Sequence, residues 1–331
     1  MLLSACVVAM LAVLPVAALA AAPTPAKGQW VNISKKWVDD AMEEFGAIPN
    51  VTSGVAVDPT NGDVYMVMGG RGIWKSVDQG AKFKRVDNEK VGGIGVTTWS
   101  LNVDPAGKRL ACFMLDGPCA MLLDSGKTAA PFATVHRNWD FGVVDWTDPQ
   151  AQSMVTLWHE SGGQGYYSPV GGKDWTIMSE KGMETLGIFD AKTIVAGKAK
   201  GIIRSTDSGQ KWQKVSDFTP VAGALLVTGG VGYWLAKEGI LVSKDKGVTW
   251  TVQGQPVAAV AGPYFGSDPK QIIAAGEKGF YESKDAGVTW QNILPLPSGY
   301  KMDGALNAAW DPLHDTFYVS RLGQHTMKYQ R

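Results

Sequence analysis

The sequence is poor in the side chains that build many metal and cofactor sites. Its 331 residues include 3 cysteines and 4 histidines, which leaves little material for a Cys/His cluster, so we expect neither a metal nor a cofactor. Neither sign of charge prevails, because 31 Lys and Arg balance 31 Asp and Glu. Binding to nucleic acid needs a basic excess to meet the phosphates, so no nucleic-acid partner is expected.

Long apolar runs are also missing, apart from one at the N-terminus. Residues 1–22 are apolar and end in small residues around Ala18-Leu19-Ala20, a pattern typical of a cleaved export signal. Residues 23–27 form an Ala/Pro linker, and residues 28–331 contain no second run long enough to span a membrane. The sequence therefore predicts an exported monomer, with the periplasm and the extracellular space both open.

Glycine, tryptophan and turn signals are abundant instead. The chain has 40 glycines and 13 tryptophans, a composition that favours an all-β domain. Asp and Ser can bind backbone N–H groups just ahead of them, and Gly adopts positive φ at little steric cost, so Ser-x-Asp-x-Gly-x-x-aromatic predicts a β-hairpin turn. This pattern occurs four times between short apolar runs, beginning at Ser76, Ser205, Ser243 and Ser283.

Weaker copies at Leu122 and Ser168 extend the series to six units. The steps of 46, 46, 37, 38 and 40 residues match the length of a four-stranded propeller blade. A seventh unit ends the chain without a fourth strand, whereas Gln29–Ser34 resembles such a strand and has no turn motif before it. We therefore predict an all-β, seven-bladed β-propeller of four-stranded antiparallel blades over 28–331, closed by the N-terminal strand completing the last blade.

Two local features accompany the repeats. Lys35–Phe45 has a helical period, with Ser34 as its expected N-cap. Cys112 and Cys119 flank a predicted hairpin turn on the second and third strands of blade two. In an exported protein such a pair is a candidate disulfide, and the free-thiol alternative stays open.

The repeated octapeptide resembles the Asp-box, or BNR repeat, of sialidases, xyloglucan-acting glycoside hydrolases, sortilin-type receptors and Ycf48-related photosystem II assembly factors. The resemblance implies a propeller whose motif turns lie away from the ligand-binding face. It gives the motif aspartates a structural role: Asp78, Asp207, Asp245 and Asp285. In sialidases a Phe/Tyr-Arg-Ile-Pro motif supplies an arginine, but Gly46-Ala47-Ile48-Pro49 has alanine there, which argues against that activity.

The loops opposite the motif turns supply the candidate site residues. Blade three combines His, carboxylate and Trp side chains at 136–140 and 158–160, a set that suits stacking on a sugar ring and binding its hydroxyls. The catalytic candidates are His136, Arg137, His159, Glu160, Arg321 and His325, and the ligand-binding candidates are Arg71, Trp139, Asp140 and Trp158. Alternatively, these are ordinary rim residues, with Trp139 and Trp158 packed between blades.

Three functions remain open at this stage. The first is a non-catalytic propeller that binds a glycan or a protein, favoured by an intact scaffold without a recognisable catalytic set. The second is a glycoside hydrolase or polysaccharide lyase that uses the blade-three cluster. The third is a sialidase with a diverged arginine set. Two carboxylates, or a His and an Arg, converging at the funnel mouth would favour an enzyme.

Overall fold

The computed structural model describes residues 27–133 and 138–331. The predicted export signal 1–22 lies outside this part of the chain, as do residues 23–26 of the predicted linker. No helix within the described ranges has the length and apolar character needed to cross a membrane.

Seven four-stranded antiparallel sheets make up the described domain, so the prediction of seven blades is confirmed. A first strand, β1 (Trp30–Asn32), and a helix, α1 (Lys35–Phe45), precede the first complete blade. Blades one to three comprise β2 (Thr52–Val57), β3 (Val64–Met68), β4 (Ile73–Ser76) and β5 (Lys84–Arg85); β6 (Leu101–Val103), β7 (Leu110–Cys112), β8 (Ala120–Leu123) and β9 (Thr128–Pro131); β10 (Trp139–Val144), β11 (Met154–Trp158), β12 (Gly165–Ser168) and β13 (Thr176–Ile177).

The remaining blades follow the same order, with the inner strand first. Blades four to seven comprise β14 (Thr185–Ile188), β15 (Ile194–Lys198), β16 (Gly201–Ser205) and β17 (Gln213–Ser216); β18 (Leu226–Thr228), β19 (Val231–Ala236), β20 (Gly239–Ser243) and β21 (Thr251–Gln253); β22 (Ala261–Phe265), β23 (Ile272–Gly276), β24 (Gly279–Ser283) and β25 (Gln291–Leu294); β26 (Leu306–Asp311), β27 (Thr316–Arg321) and β28 (Met327–Gln330) with β1. The middle strands of the blades are almost fully buried, as in β3 and β23. Apolar residues therefore cover both faces of each middle strand, and the core lies between neighbouring blades.

The N-terminal strand closes the ring, as the sequence predicts. β1 pairs antiparallel with β28, and Trp30 lies opposite Tyr329 with ring centroids 5.5 Å apart. The Gly28 N–H donates to the Gln330 carbonyl at 3.0 Å, which extends the ladder beyond the strand. β1 thus protects the outer edge of blade seven, which would otherwise be open to pairing with another chain.

The predicted helix is confirmed at Lys35–Phe45, but its start differs from expectation. The Ser34 side chain makes no capping bond to the helix. Instead, the Asn32 carboxamide oxygen accepts from the N–H groups of Ser34 and Lys35, at 3.1 and 2.9 Å. The Ser34 hydroxyl accepts from the N–H of Thr326 at 2.9 Å. The side chain that the sequence predicts as the helix cap therefore binds the C-terminal segment of blade seven instead.

The repeated octapeptides form equivalent turns between the third and fourth strands of their blades. In the turn of blade six the Ser283 hydroxyl donates to Asp285 at 2.8 Å and accepts from the N–H of Gly287 at 2.7 Å. The Thr289 hydroxyl and N–H donate to the Asp285 carboxylate, and these bonds lower the pKa of Asp285. Ala286 and Gly287 have φ of +60° and +89°, so the turn needs two successive left-handed residues.

These turns also join neighbouring blades. At three joints between blades the carbonyl of the motif glycine accepts from an N–H that follows the outer strand of the preceding blade: Ala133 to Gly172 at 2.7 Å, Ser179 to Gly209 at 3.0 Å, and Gln255 to Gly287 at 2.8 Å. At the joint between blades seven and one, a Cβ on Gly80 would lie 2.6 Å from Ile33 Cδ1. The motif glycine is therefore required both for its φ and for close approach of the next blade.

A second repeated turn connects the inner strand of a blade to its second strand. An aspartate at the end of, or just beyond, the inner strand accepts from the N–H two residues later at 2.8–3.0 Å, an Asx turn that occurs at Asp58, Asp104, Asp145, Asp190, Asp268 and Asp311. In blade four the Asp190 carboxylate also binds Lys246 Nζ of blade five at 2.8 Å. Inner turns and motif turns thus lie at the same end of the propeller and are linked across blades.

Of the two alternatives left open for the cysteine pair, the structure has the free thiols: Cys112 and Cys119 are both buried and form no disulfide. Cys112 lies opposite Ala120 in the β7–β8 ladder, one residue out of register with Cys119. Successive residues of a strand point to opposite faces, so the two sulfur atoms are not presented to each other. The N–H of Met114 instead donates to Cys119 Sγ at 3.1 Å.

Loss of a motif hydroxyl should destabilise the protein without a change of fold. Ser283 is 1 % exposed, and Ser283→Ala would leave the Gly287 N–H without its acceptor. We expect the free energy of unfolding in urea to fall by about 1–2 kcal/mol. Ser298→Ala, at an exposed loop position, is the matched control and should change it by less than about 0.5 kcal/mol. Equal effects of the two variants would contradict the structural role of the motif.

Asp190 should contribute to the pH dependence of stability. Burial alone would raise the pKa of Asp190, but Lys246 and the N–H groups of Lys192 and Thr193 outweigh it and hold the pKa at about 2. The contribution is therefore fully present above about pH 4, the ordinary pKa of an unfolded aspartate, and is lost as the pH falls through about 2. Asp190→Asn should flatten the acid limb of Tm against pH, because the variant has no carboxylate to protonate at this turn. An acid limb as steep as that of the wild type would disprove this role.

The two described thiols should be inert in the native protein. Burial raises the pKa of Cys112 and raises that of Cys119 to about 12, so neither forms a thiolate readily near neutrality. In a Cys6→Ser background, Ellman's reagent should detect no thiol before unfolding and two after it. Reaction of either thiol with the native protein at neutral pH would contradict the burial described here.

Candidate functional site

The face opposite the motif turns is blocked at the propeller axis by residues 97–100, which join blade one to blade two. A short 3₁₀ helix, Thr98–Ser100, lies here, capped by the Thr97 hydroxyl. The Thr98 hydroxyl donates to the Leu306 carbonyl of blade seven at 3.4 Å, and that of Ser100 donates to the Asp140 carbonyl of blade three at 3.2 Å.

The Trp99 side chain completes the closure. It is half-buried and packs against the apolar clusters of blades three to six. A Cβ on Gly223 would lie 2.5 Å from Trp99 Cδ1, so only glycine permits this contact. The role of Trp99 as a plug across the axis was not predicted from the sequence.

A pocket of about 370 Å³ lies on this face, at the rim of blades three and four. Its wall includes Asp140, Trp158, Glu160 and Glu184, together with the loop that follows β11. That loop spans residues 159–164, whereas the corresponding connections of blades four to six have two residues each. The Ser161 hydroxyl donates to the Trp158 carbonyl at 2.6 Å and accepts from the Gln164 N–H at 2.9 Å, which fixes the longer loop.

The structure brings together three candidate residues from two stretches of blade three. His159 Nδ1 lies 2.5 Å from Asp140 Oδ1, and His159 Nε2 lies 3.7 Å from Glu160 Oε1. The side chains of His159 and Asp140 are 30 % and 29 % exposed, and that of Glu160 is 85 % exposed. The imidazole is therefore oriented by the Asp140 carboxylate, and the Glu160 carboxylate beside it is exposed to solvent.

The two tryptophans of the predicted cluster have different surroundings. Trp139 is 1 % exposed and contacts Tyr166 and Trp175, with ring centroids 5.4 and 5.5 Å away. Its ring offers no face to a ligand, so the ligand-binding interpretation is wrong for Trp139 and the core interpretation describes it. Trp158 is half-buried, stands edge-on to Tyr166 and belongs to the wall of the pocket.

Two of the catalytic candidates, His136 and Arg137, lie outside the described residues. The other candidates lie on blades one and seven, each with a partner there. Arg71 donates to the Phe45 carbonyl at 2.9 Å and lies over its ring. Arg321 forms an ion pair with Asp303. These contacts attach loops to the scaffold.

His325 is likewise held by the closing segment of the chain. Its Nδ1 lies 3.1 Å from the Ser34 hydroxyl, and its carbonyl accepts from the Tyr300 hydroxyl at 2.5 Å. Burial, with a smaller effect of Lys35, lowers the pKa of His325. No ion pair or hydrogen bond recorded for residues 27–133 and 138–331 joins His325, Arg321 or Arg71 to the blade-three cluster. Within the same ranges, no three His, Cys, Asp or Glu side chains lie together as a metal site would require.

Comparison with known proteins identifies the fold but no family. No protein-family model matches the chain, and no curated protein matches its sequence. Among solved structures, YCF48 from Cyanidioschyzon merolae is similar over 91 % of this chain and 98 % of its own, with 13 % identity and a TM-score of 0.50. A YCF48 bound to D1 peptide is similar over 86 % of this chain and 94 % of its own, with 14 % identity and a TM-score of 0.49. An ancestral GH74 enzyme is similar over 85 % of this chain and 44 % of its own, with 15 % identity and a TM-score of 0.49.

Proposed function

We propose that this chain is a non-catalytic binding propeller whose ligand, an uncharged glycan, occupies the rim pocket of blades three and four. The observation that carries the proposal is the composition of the pocket wall: the half-buried Trp158 with Asp140, Glu160 and Glu184. An aromatic side chain can stack on the apolar face of a sugar ring, and carboxylates accept hydrogen bonds from its hydroxyls. The apolar N-terminal residues 1–22 support a place of action outside the cytoplasm.

The charge of the pocket wall favours an uncharged ligand over an acidic one. Three carboxylates and no Lys or Arg belong to the described wall. The carboxylate of a sialic acid would be repelled by these three carboxylates and would find no cationic side chain in the described wall to pair with. This composition, together with Ala47 in place of the sialidase arginine, makes a sialidase the weakest of the three hypotheses.

A second candidate function, glycoside hydrolysis, is favoured by one specific arrangement. Carboxylates from two segments, Asp140 and Glu160, face His159, and Glu184 lines the same pocket. Glycoside hydrolysis uses a pair of carboxyl groups, one as an acid and one as a base or nucleophile. Catalysis has the weaker support, because the Glu160 side chain is 85 % exposed, whereas an enzyme site ordinarily encloses its reacting groups and excludes water.

The test is to incubate the purified mature protein with neutral polysaccharides and sialosides and to record product release and thermal shift. We expect a neutral polysaccharide to raise Tm without products, and sialosides to have no effect. Glu160→Gln and Trp158→Ala should weaken binding about tenfold, equivalent to about 1.4 kcal/mol. Glu277→Gln changes a carboxylate in the corresponding loop of blade six and should not alter binding.

Each other outcome would replace the proposal with a defined alternative. If the wild type releases products and Glu160→Gln binds the polysaccharide without releasing them, the protein is a glycoside hydrolase. Binding of sialosides in preference to neutral chains would contradict the charge argument. Absence of any shift with either class would refute glycan binding and direct the search to protein partners by pull-down.

A further inference from the structure

A second cavity runs along the propeller axis and is separate from the rim pocket. Its volume is about 780 Å³, and the inner strands of all seven blades contribute to its wall. At one end lie Thr98 and Trp99, which close the axis on the loop face. At the other end the wall extends to exposed residues of the inner turns, including Pro59, Pro105 and Ser267. The cavity is thus a blind channel that opens on the face of the motif turns.

Aromatic and aliphatic side chains dominate the wall of this channel. Its aromatic members come from blades three, five, six and seven and from the plug: Trp99, Trp146, Tyr233, Tyr264, Phe265 and Trp310. Val103 and Val227 belong to inner strands and remain half-buried, because the channel beside them is open. These valines therefore present apolar surface to the open space of the channel.

The polar groups of the wall are largely committed to the protein itself. The Asn102 carboxamide oxygen accepts from Trp146 Nε1 at 2.9 Å, and its nitrogen donates to the Gly142 carbonyl at 3.2 Å. The Tyr264 hydroxyl donates to the Ala308 carbonyl at 2.7 Å. A polar ligand would give up its hydrogen bonds to water on entering the channel, and the wall offers few groups to replace them. The wall therefore disfavours polar ligands.

The charged groups of the wall also disfavour an ionic ligand. The wall contains Asp145 and Lys270. Asp145 is 4 % exposed, and its carboxylate accepts from the N–H and the hydroxyl of Thr147, within its own turn. Lys270 is exposed at the mouth. No charge is therefore directed at the interior of the channel.

We propose that the axial channel binds a small, uncharged, largely apolar molecule that enters from the motif-turn face. The volume lies within the range of ligand pockets, about 300–1,000 Å³, and a wall with few free hydrogen-bonding groups holds water weakly. Burial of an apolar body against the half-buried rings of Trp146, Tyr233 and Phe265 supplies the affinity, and the Trp99 plug limits the depth to which the ligand enters. This site is independent of the glycan proposed for the opposite face.

The test uses 1-aminoanthracene, a neutral aromatic dye whose emission rises in apolar surroundings. We expect saturable binding of one dye per chain to the wild type. Val227→Trp and Val103→Trp fill the channel from two blades and should each weaken binding at least about tenfold. Val252→Trp makes the same change on the outer strand of blade five, where the valine is 39 % exposed, and should bind as the wild type does.

Three results would overturn the proposal. The first is absence of saturable binding, and the second is wild-type affinity in both filling variants when their Tm shows that they are folded. The third is loss of dye in Met42→Lys, which would place the dye on the exposed face of α1, where Met42 is 46 % exposed. Glu160→Gln separates the two sites, because it should weaken the glycan and leave the dye unaffected.

Discussion

Each blade can bury its apolar faces only if a neighbour covers it, and this mutual dependence governs the whole structure. A single four-stranded sheet such as β22–β25 would expose Ile272 or Phe280 on its own, whereas both are fully buried in the ring. A ring with a gap would leave two such faces open, so the pairing of β1 with β28 stabilises every blade and not only the seventh. Hydrogen bonds that the carbonyls of motif glycines accept from N–H groups of the preceding blade strengthen the same circular arrangement.

The two faces of the ring differ because different constraints act on them. The motif-turn face is built from repeated, internally satisfied turns such as those of Asp190 and Asp285, so it varies little from blade to blade. The loop face carries the irregular segments: helix α1, the plug at Trp99 and the long loop of blade three. Irregular loops on a rigid repeat are where recognition is ordinarily located, which agrees with the rim pocket at Trp158 and Glu160.

The fold was predictable because its information is local and repeated. The turn motifs can be read from a few neighbouring residues, and their spacing gives the blade boundaries. The strand around Trp30 resembles the outer strands of other blades but has no turn motif before it, and this identified how the ring closes. The site was less predictable, because it depends on contacts between blades. Nothing near Trp99 in the sequence indicates that its side chain packs against Gly223. The burial of Trp139 and the one-residue offset of Cys119 depend on strand register, and sequence patterns fix register only to within a residue or two.

The pairing of β1 with β28 also determines when, during synthesis, the ring can close. During synthesis β1 emerges before the other strands of the described domain, yet its partner β28 follows all of them. Until then the strand at Trp30 has no edge to join, and blade seven has no outer strand. Bringing such distant segments together carries a large loop entropy and slows folding. The joint between blades seven and one can therefore close only after β28 has been made, and until then the edge of β28 is open to pairing with another chain.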